Sequence, residues 1–289
     1  MCDSGGSTGK LRKELGILPP GDVRRAILAL SDLPFARKTL EEVFDFRFED
    51  GRTLAGHSLG NILLAALTQI TGSMDRAIEE AARILNASGK IYPITLDKTN
   101  LVAILEDGTR VFGEANIDMR NIKPKVPIKK VYLSPSARIF QGAAKALRQA
   151  DMIVIGPGDL YSSLVPTVLV EGVNRAIKAS KAKLVYIVNL MTKRGETDGF
   201  KTSDFVRVLE NYLCGSAECL NYVVVNKKIS GSPKKISAWY RHYGSAVVKD
   251  DLSNNKKNSF KVVSGNFVDT TTFYRHNSDK IARKIISLL

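Results

Sequence analysis

The second half of the chain repeats one rhythm: a short run of β-branched apolar residues, a polar or glycine-rich turn, then a helical stretch. DMIVIGPGD reads as a strand entering a glycine turn, and LVYIVNL at 184–190, NYVVVN at 221–226 and FKVVSG at 260–265 read as further strands. Runs such as IVI and LVYIV lack the in–out alternation of a half-exposed strand, so both faces need cover. The cover is present in QGAAKALRQA, in LVPTVLVEGVNRAIKAS, in SDFVRVLENYL with Ser203 as its cap, and in SDKIARKIISLL. Helices between buried parallel strands force right-handed crossovers, which predicts an α/β fold with a doubly wound, mainly parallel sheet.

The first half adds helices and a hairpin. Asp22 is the expected N-cap of a helix through VRRAILALSD. Residues 58–71 and 74–87 read as two helices parted by Gly72, the first capped by Ser58 and apolar on so much of its circumference that burial is expected. IYPIT (91–95), LVAIL (101–105), RVFGE (110–114) and KKVYL (129–133) read as strands. The second and third are joined by EDGT, whose Asp107-Gly108 is a strong hairpin signal. The expected organisation is one domain over 1–289, with a hairpin insertion at about 91–128 and a looser part at about 226–289.

Composition narrows the function classes. With 289 residues, 44% hydrophobic and 25% charged, the chain matches a soluble globular protein and not a disordered one. No run approaches the ~20 apolar residues of a membrane span, and the start lacks a signal peptide's pattern. Three cysteines fit a reducing cytoplasm; Cys214 and Cys219, with no second metal-binding pair nearby, read as ordinary free thiols. The net charge of +14 is concentrated in residues 221–289, which hold 13 lysines and arginines against 4 acids. Such an excess draws anions: nucleic acid, a membrane surface or a phosphorylated small molecule. Lys227, Lys228, Lys234, Lys235, Lys256 and Lys257 stand in turn-like segments without interleaved aromatic residues for base stacking. A solvated basic surface is therefore favoured, and a nucleic-acid-binding module ranks third among the functional readings.

Open parallel sheets bind ligands beyond the carboxyl ends of their strands, and loops at that edge carry the candidate chemistry. Gly156-Pro157-Gly158-Asp159-Leu160-Tyr161-Ser162-Ser163 follows the strand DMIVI; its glycines permit positive φ and close backbone approach, and the helix starting near Ser163 aims its N–H groups at an anion. NLMTKRGETDG follows LVYIV, and its Asn189, Thr192, Glu196 and Thr197 can bond a base or sugar, although a plain crossover loop turning at Gly195 explains the composition as well. The opening DSGGSTGK departs from the Walker pattern, which needs glycine at Ser4 and a hydroxyl at Leu11. Its Gly5, Gly6 and Gly9 with Ser7 and Thr8 still offer flexible donors to anionic oxygens. Asp22 has a capping role or, paired with Asp3, a role as oxygen ligand of a hard cation. His57 reads first as a structural or capping histidine. Trp239 and Tyr240 read as packing residues, His242 and His276 have no nucleophile arrangement, and Arg275 is either a surface residue or a bidentate phosphate clamp.

In order, GGSTGKLRKELGILPPGD, GHSLGNILLAAL, GEANI, SPSARI, IGPGDLYSSLVPTVLVEGV and NLMTKRGETDG resemble the CofD/YvcK family, most of all its YvcK branch, the gluconeogenesis factors. The resemblance spans residues 3–225, with a looser tail. It implies a Rossmann-like α/β fold, a cytoplasmic protein, a homodimer, and binding of a nucleotide-sugar such as UDP-N-acetylglucosamine, with a role in carbon metabolism and cell shape. The CofD branch implies instead a 2-phospho-L-lactate transferase that uses Mg²⁺ to transfer phospholactate from a guanylylated donor to a deazaflavin. Carried over by motif, Gly156–Ser163 line the nucleotide site, Asn189 and Thr192 face it, His57 and Asn61 border it, and Arg275 contacts the nucleotide-sugar. Two departures stand out. The family's opening strand and GGGTG loop do not precede DSGGSTGK, so an N-terminally incomplete version of the fold is expected. The paired acids of the DDGGSSG-like motif are here Asp3 and Ser4, which weakens a metal-dependent transferase mechanism.

Overall fold

The computed structural model describes residues 5–32, 37–51, 54–118, 126–215, 218–227, 232–254, 258–269, 271–272 and 274–289; Arg37, Lys38 and Pro233 are described by their backbone alone. Asp3 and Ser4, two of the expected site residues, and the thiol of Cys2 lie outside these. The chain divides into two compact units, Met1–Val102 with Phe112–Ala115 and Leu133–Ala143, and Ala103–Val111 with Asn116–Tyr132 and Ala144–Leu289.

The first unit is built on helices α1 (Gly6–Leu15), α2 (Gly21–Leu30), α3 (Arg37–Asp45), α4 (Leu59–Thr71) and α5 (Met74–Ile84). Apolar residues recur at helical spacing, Val23, Ile27 and Leu28 on α2 and Met74, Ile78 and Ala81 on α5, and meet Phe44 and Leu64 in one core. Gly5 stands at the N-cap of α1, so Ser7, Thr8 and Gly9 are helical and not part of a loop. The helix of Asp22 begins at Gly21, two residues earlier than a cap at Asp22 implies. Pro20 holds the cap position, and Asp22 lies exposed in the first turn. Ser58 does cap α4, accepting from the N–H of Asn61, and Gly72 ends it at φ 80°. Only one face of α4 is buried, however; Ile70 is 78% exposed.

Strands β1 (Asn100–Leu105), β2 (Arg110–Phe112) and β3 (Ile128–Ser134) form a small antiparallel sheet in the order β2-β1-β3. Asp107 closes the β1–β2 hairpin by accepting from the N–H of Thr109 at 2.9 Å. The unit boundaries fall within these strands. IYPIT is not a strand: Pro93 has no N–H to give a ladder, and the carbonyl of Ile94 is met by Phe140 N–H instead. Helix α6 (Glu114–Asp118) lies between β2 and β3, and α7 (Gln141–Gln149) follows β3.

The second unit carries the parallel sheet, β4 (Met152–Ile155), β5 (Lys183–Ile187), β6 (Tyr222–Asn226) and β7 (Lys261–Gly265), in that order. Ile153 pairs with Leu184, Tyr186 with Val223, and Val224 with Val263. On one face Val185, Ile187, Val224 and Val263 pack with Phe267 and with Ile281 of α12 (Ser278–Ile286). The alternate residues Leu184, Tyr186, Val223 and Val225 are buried too, so the sheet is covered on both faces as its sequence demands.

Between β4 and β5 the expected single helix is broken into a π-helical turn (Leu160–Leu164), α8 (Val165–Val168) and α9 (Val173–Lys178). Gly172, at φ 100°, supplies the left-handed conformation that interrupts it. Helix α10 (Thr202–Cys214) is capped at Lys201, whose N–H donates to Asp204, while Ser203 is tied to Asp251. Cys214 and Cys219 are joined in a disulfide and are not free thiols; the chain turns at Gly215, φ 72°, and brings their Cα atoms to 6.3 Å. A further helix, α11 (Pro233–Tyr243), stands where a polar turn was expected, started by Ser232 accepting from Lys235 N–H. No helix among the described residues is long and apolar enough to cross a membrane.

Gly60 sets the approach of α4 to its neighbours. A Cβ there would lie 2.6 Å from Cδ of the buried Arg24, 2.7 Å from Cδ1 of Phe44 and 2.9 Å from its carbonyl oxygen. Gly60→Ala is expected to destabilise the protein by about 1–3 kcal/mol through overpacking, seen as a lower midpoint in chemical denaturation; an unchanged midpoint would contradict this packing.

Candidate functional site

Where β4 and β5 end, their loops meet the segment before α12 and the end of α11 around a cavity of about 520 Å³. Pro157, Gly158 and Asp159 line it from the β4 loop, Asn189 to Lys193 from the β5 loop, Trp239 from α11, and Tyr274, Arg275 and His276 from the segment before α12. The position agrees with the general rule for open parallel sheets.

The β4 turn works differently from the expectation. Neither Gly156 nor Gly158 has a positive φ. A Cβ at Gly156 would meet nothing within 4 Å, so the glycine leaves open space, whereas at Gly158 it would crowd Leu164 at 3.1 Å. Nor is the positive end of the following helix offered to a ligand. Glu196 Oε2 accepts from the N–H groups of Tyr161 and Ser162, at 3.0 and 3.2 Å, and Oε1 accepts from the Ser162 hydroxyl at 2.7 Å. The N–H groups of Ser163 and Leu164 bond the carbonyl of Asp159. An internal carboxylate thus occupies the anion position of the turn. Leu160, Tyr161 and Ser162 are buried behind it and Ser163 is exposed.

The β5 loop is held by its own side chains. Thr197 Oγ1 accepts from Lys193 N–H, Thr192 Oγ1 accepts from Ala246 N–H, and Asp198 accepts from Gly195 N–H. Thr192, Glu196 and Thr197 are therefore all bonded within the protein, and Asn189 is only partly so. Its Nδ2 donates to Gly158 O at 2.9 Å, and its Oδ1 is buried with no hydrogen-bond partner among the described residues. Trp239 stacks on Tyr274 with ring centroids 4.1 Å apart, and the exposed Arg275 lies over Tyr274.

Charge is concentrated beside this cavity. Asp118, Asp159 and Glu196 bring carboxylate oxygens within 4.8 Å of one another, close enough to hold a metal ion. Lys193 Nζ reaches into the group, 2.5 Å from Asp118 Oδ1 and 3.2 Å from Asp159 Oδ2. Burial pushes Glu196 up to about 7, helped by Asp159 and opposed by Ser162, Lys193 and the Tyr161 amide. Burial works to lower Lys193, but its bond to Asp118 and the field of Asp159 outweigh it and hold the ammonium above its ordinary value. Of the expected cation ligands, Asp22 is not one of these acids and Asp3 lies outside the described residues. In the first unit, Ser7 Oγ lies 3.0 Å from His57 Nδ1 and accepts from Asn61 Nδ2 at 3.2 Å; all three residues are buried, with Asn61 Oδ1 unpartnered among the described residues.

Lys193, Asp118, Trp239, Tyr274 and His276 were not among the expected site residues. Ser232-Pro233 is a helix-start signal that places Trp239 and Tyr243 on one helical face. Nothing local in the sequence marks Asp118 as a partner of Lys193, because that pairing depends on tertiary structure.

A family model described as 2-phospho-L-lactate transferase CofD matches residues 1–268. The gluconeogenesis factor of Halalkalibacterium halodurans is 41% identical over 288 residues, covering 99% of this chain and 86% of that protein. The gluconeogenesis factor of Bacillus subtilis is 36% identical over 292 residues, covering all of this chain and 88% of that one. The chain spans 63% of a longer Clostridium acetobutylicum relative, 37% identical over 291 residues. A crystal structure from Bacillus halodurans, titled as a member of the UPF0052 family, superposes with a TM-score of 0.89 at 40% identity, over 99% of this chain and 88% of that one.

His276, on the cavity wall, is pushed down to about 4 by burial, against the pull of a hydrogen bond to the Val188 backbone. A histidine lowered on folding stabilises the native state fully above its unfolded value and loses that contribution as pH falls. Between about pH 6.5 and pH 4 the wild type is expected to lose on the order of 2 kcal/mol relative to His276→Gln. Urea unfolding of both at several pH values measures this, and parallel pH curves would contradict it.

Proposed function

The chain belongs to the CofD family, and from that premise we propose that it is a gluconeogenesis factor of the YvcK type that binds a nucleotide-sugar, a UDP-sugar such as UDP-N-acetylglucosamine, in the cavity at the carboxyl edge of its parallel sheet. The reading assigns the protein to the regulation of carbon metabolism and cell shape, in the cytoplasm and as a homodimer. The observation that carries it is the composition of the cavity wall. The Trp239–Tyr274 stack gives a flat aromatic surface for a base. Arg275 beside it matches a diphosphate bidentately. Asn189 Oδ1, an unsatisfied buried acceptor, suits a sugar hydroxyl, since leaving it unpaired costs free energy that a bound donor recovers. Gly156 leaves room for close approach to the backbone. The volume of about 520 Å³ is within the range of small-molecule sites.

A transferase of the CofD type is the second reading. It rests on the family match, and it calls for Mg²⁺ near the reacting phosphate. The acids grouped beside the cavity already hold an ammonium, which favours binding over metal-dependent transfer.

Calorimetric titration with UDP-sugars and with guanosine nucleotides separates the two. Saturable binding of a UDP-sugar is expected, weakened at least about tenfold, or ~1.4 kcal/mol, by Arg275→Ala. Binding of a guanosine nucleotide with no heat from any UDP-sugar would overturn the proposal.

A further inference from the structure

Three carboxylates whose oxygens lie within 4.8 Å of one another would, by themselves, attract a hard divalent cation. In this chain the position is contested by Lys193. Its ammonium lies 2.5 Å from Asp118 Oδ1 and 3.2 Å from Asp159 Oδ2, between two of the three acids. The third, Glu196, has both oxygens engaged, by Tyr161 N–H and Ser162 N–H on one and the Ser162 hydroxyl on the other. A carboxylate has about four acceptor positions, so three are already filled. The backbone of Lys193 is fixed as well, its N–H donating to the buried Thr197 Oγ1 at 2.8 Å.

We propose that the ammonium of Lys193 is the resident cation of this cluster, a covalently attached substitute for a divalent metal. The arrangement then leaves less negative charge for a metal to balance: Lys193 offsets one of the two charges it bridges, and backbone dipoles hold Glu196. Asp159 and Lys193 both line the cavity, so a ligand there meets a fixed pair of side chains and no exchangeable ion. The inference concerns the cation alone and stands whether or not the ligand is a nucleotide-sugar. It yields a gain-of-function test, because removing the lysine uncovers the acids.

The probe is Mn²⁺ alone, followed by electron paramagnetic resonance on the whole chain. Wild type is expected to show no saturable Mn²⁺ site, and Asp118→Asn is expected to leave that unchanged. Lys193→Met keeps the length of the side chain and drops its charge; it is expected to bind Mn²⁺ at least tenfold more tightly than wild type. That gain should disappear in the double variant Lys193→Met, Asp118→Asn. The thermal midpoint of Lys193→Met should rise with added Mn²⁺ while that of wild type does not move. A saturable Mn²⁺ site in wild type that Asp118→Asn abolishes would overturn the proposal. So would a folded Lys193→Met, checked by circular dichroism, that gains no Mn²⁺ affinity. Because the wild-type measurement is decisive by itself, the proposal remains falsifiable if Lys193→Met fails to fold.

Discussion

The second unit depends on a carboxylate placed inside the protein. Glu196, 4% exposed, closes the start of the π-helical turn after β4 by accepting from two backbone N–H groups and one hydroxyl. Those N–H groups belong to the first turn of a helix and have no intrahelical partner. Left unpaired in a buried position, each would cost on the order of 1–3 kcal/mol. By satisfying them, Glu196 ties the loop after β4 to the loop after β5, and the cavity wall from Pro157 to Asp159 is held at a defined distance from Asn189 to Lys193. Burying the carboxylate is costly in turn, which is why burial raises it to about 7 while Ser162 and Lys193 pull against that rise.

The charge beside the cavity follows from the same placement. Glu196 stands near Asp159 and Asp118, and the ammonium of Lys193 lies between the two aspartates. With these charges held by one another, the proposed ligand contacts fall to other groups: the aromatic stack of Trp239 and Tyr274, the guanidinium of Arg275, and the amide oxygen of Asn189, which has no partner among the described residues. His276, kept neutral by burial, adds a polar wall without adding charge.

Much of the fold was legible because it rests on local patterns. The β-branched runs at 152–155, 183–187, 222–226 and 261–265 became the parallel sheet, and Asp107-Gly108 became the hairpin turn. Ser58 and Gly72 bound α4 as their chemistry predicts. Other features depended on partners far away in sequence. The turn at Gly156–Ser163 looked like an anion site because its sequence shows the donors but not Glu196, which comes from more than thirty residues later and fills them. The glycine-rich opening looked like a loop because glycines are poor helix formers, yet its Ser7 is held inside α1 by His57 and Asn61. Asp22 looked like a cap by residue type alone, and the helix began two residues earlier, after Pro20. The Cys214–Cys219 pairing and the break at Gly172 depend on left-handed turns that composition does not announce.

The account turns on whether Glu196 is the anion that closes the β4 turn. Amide hydrogen exchange at Tyr161 and Ser162, compared between wild type and Glu196→Ala, measures this directly. Protection at those two amides is expected to fall in the variant while Val185 and Val224 in the sheet keep theirs. Equal protection of Tyr161 and Ser162 in both proteins would contradict it.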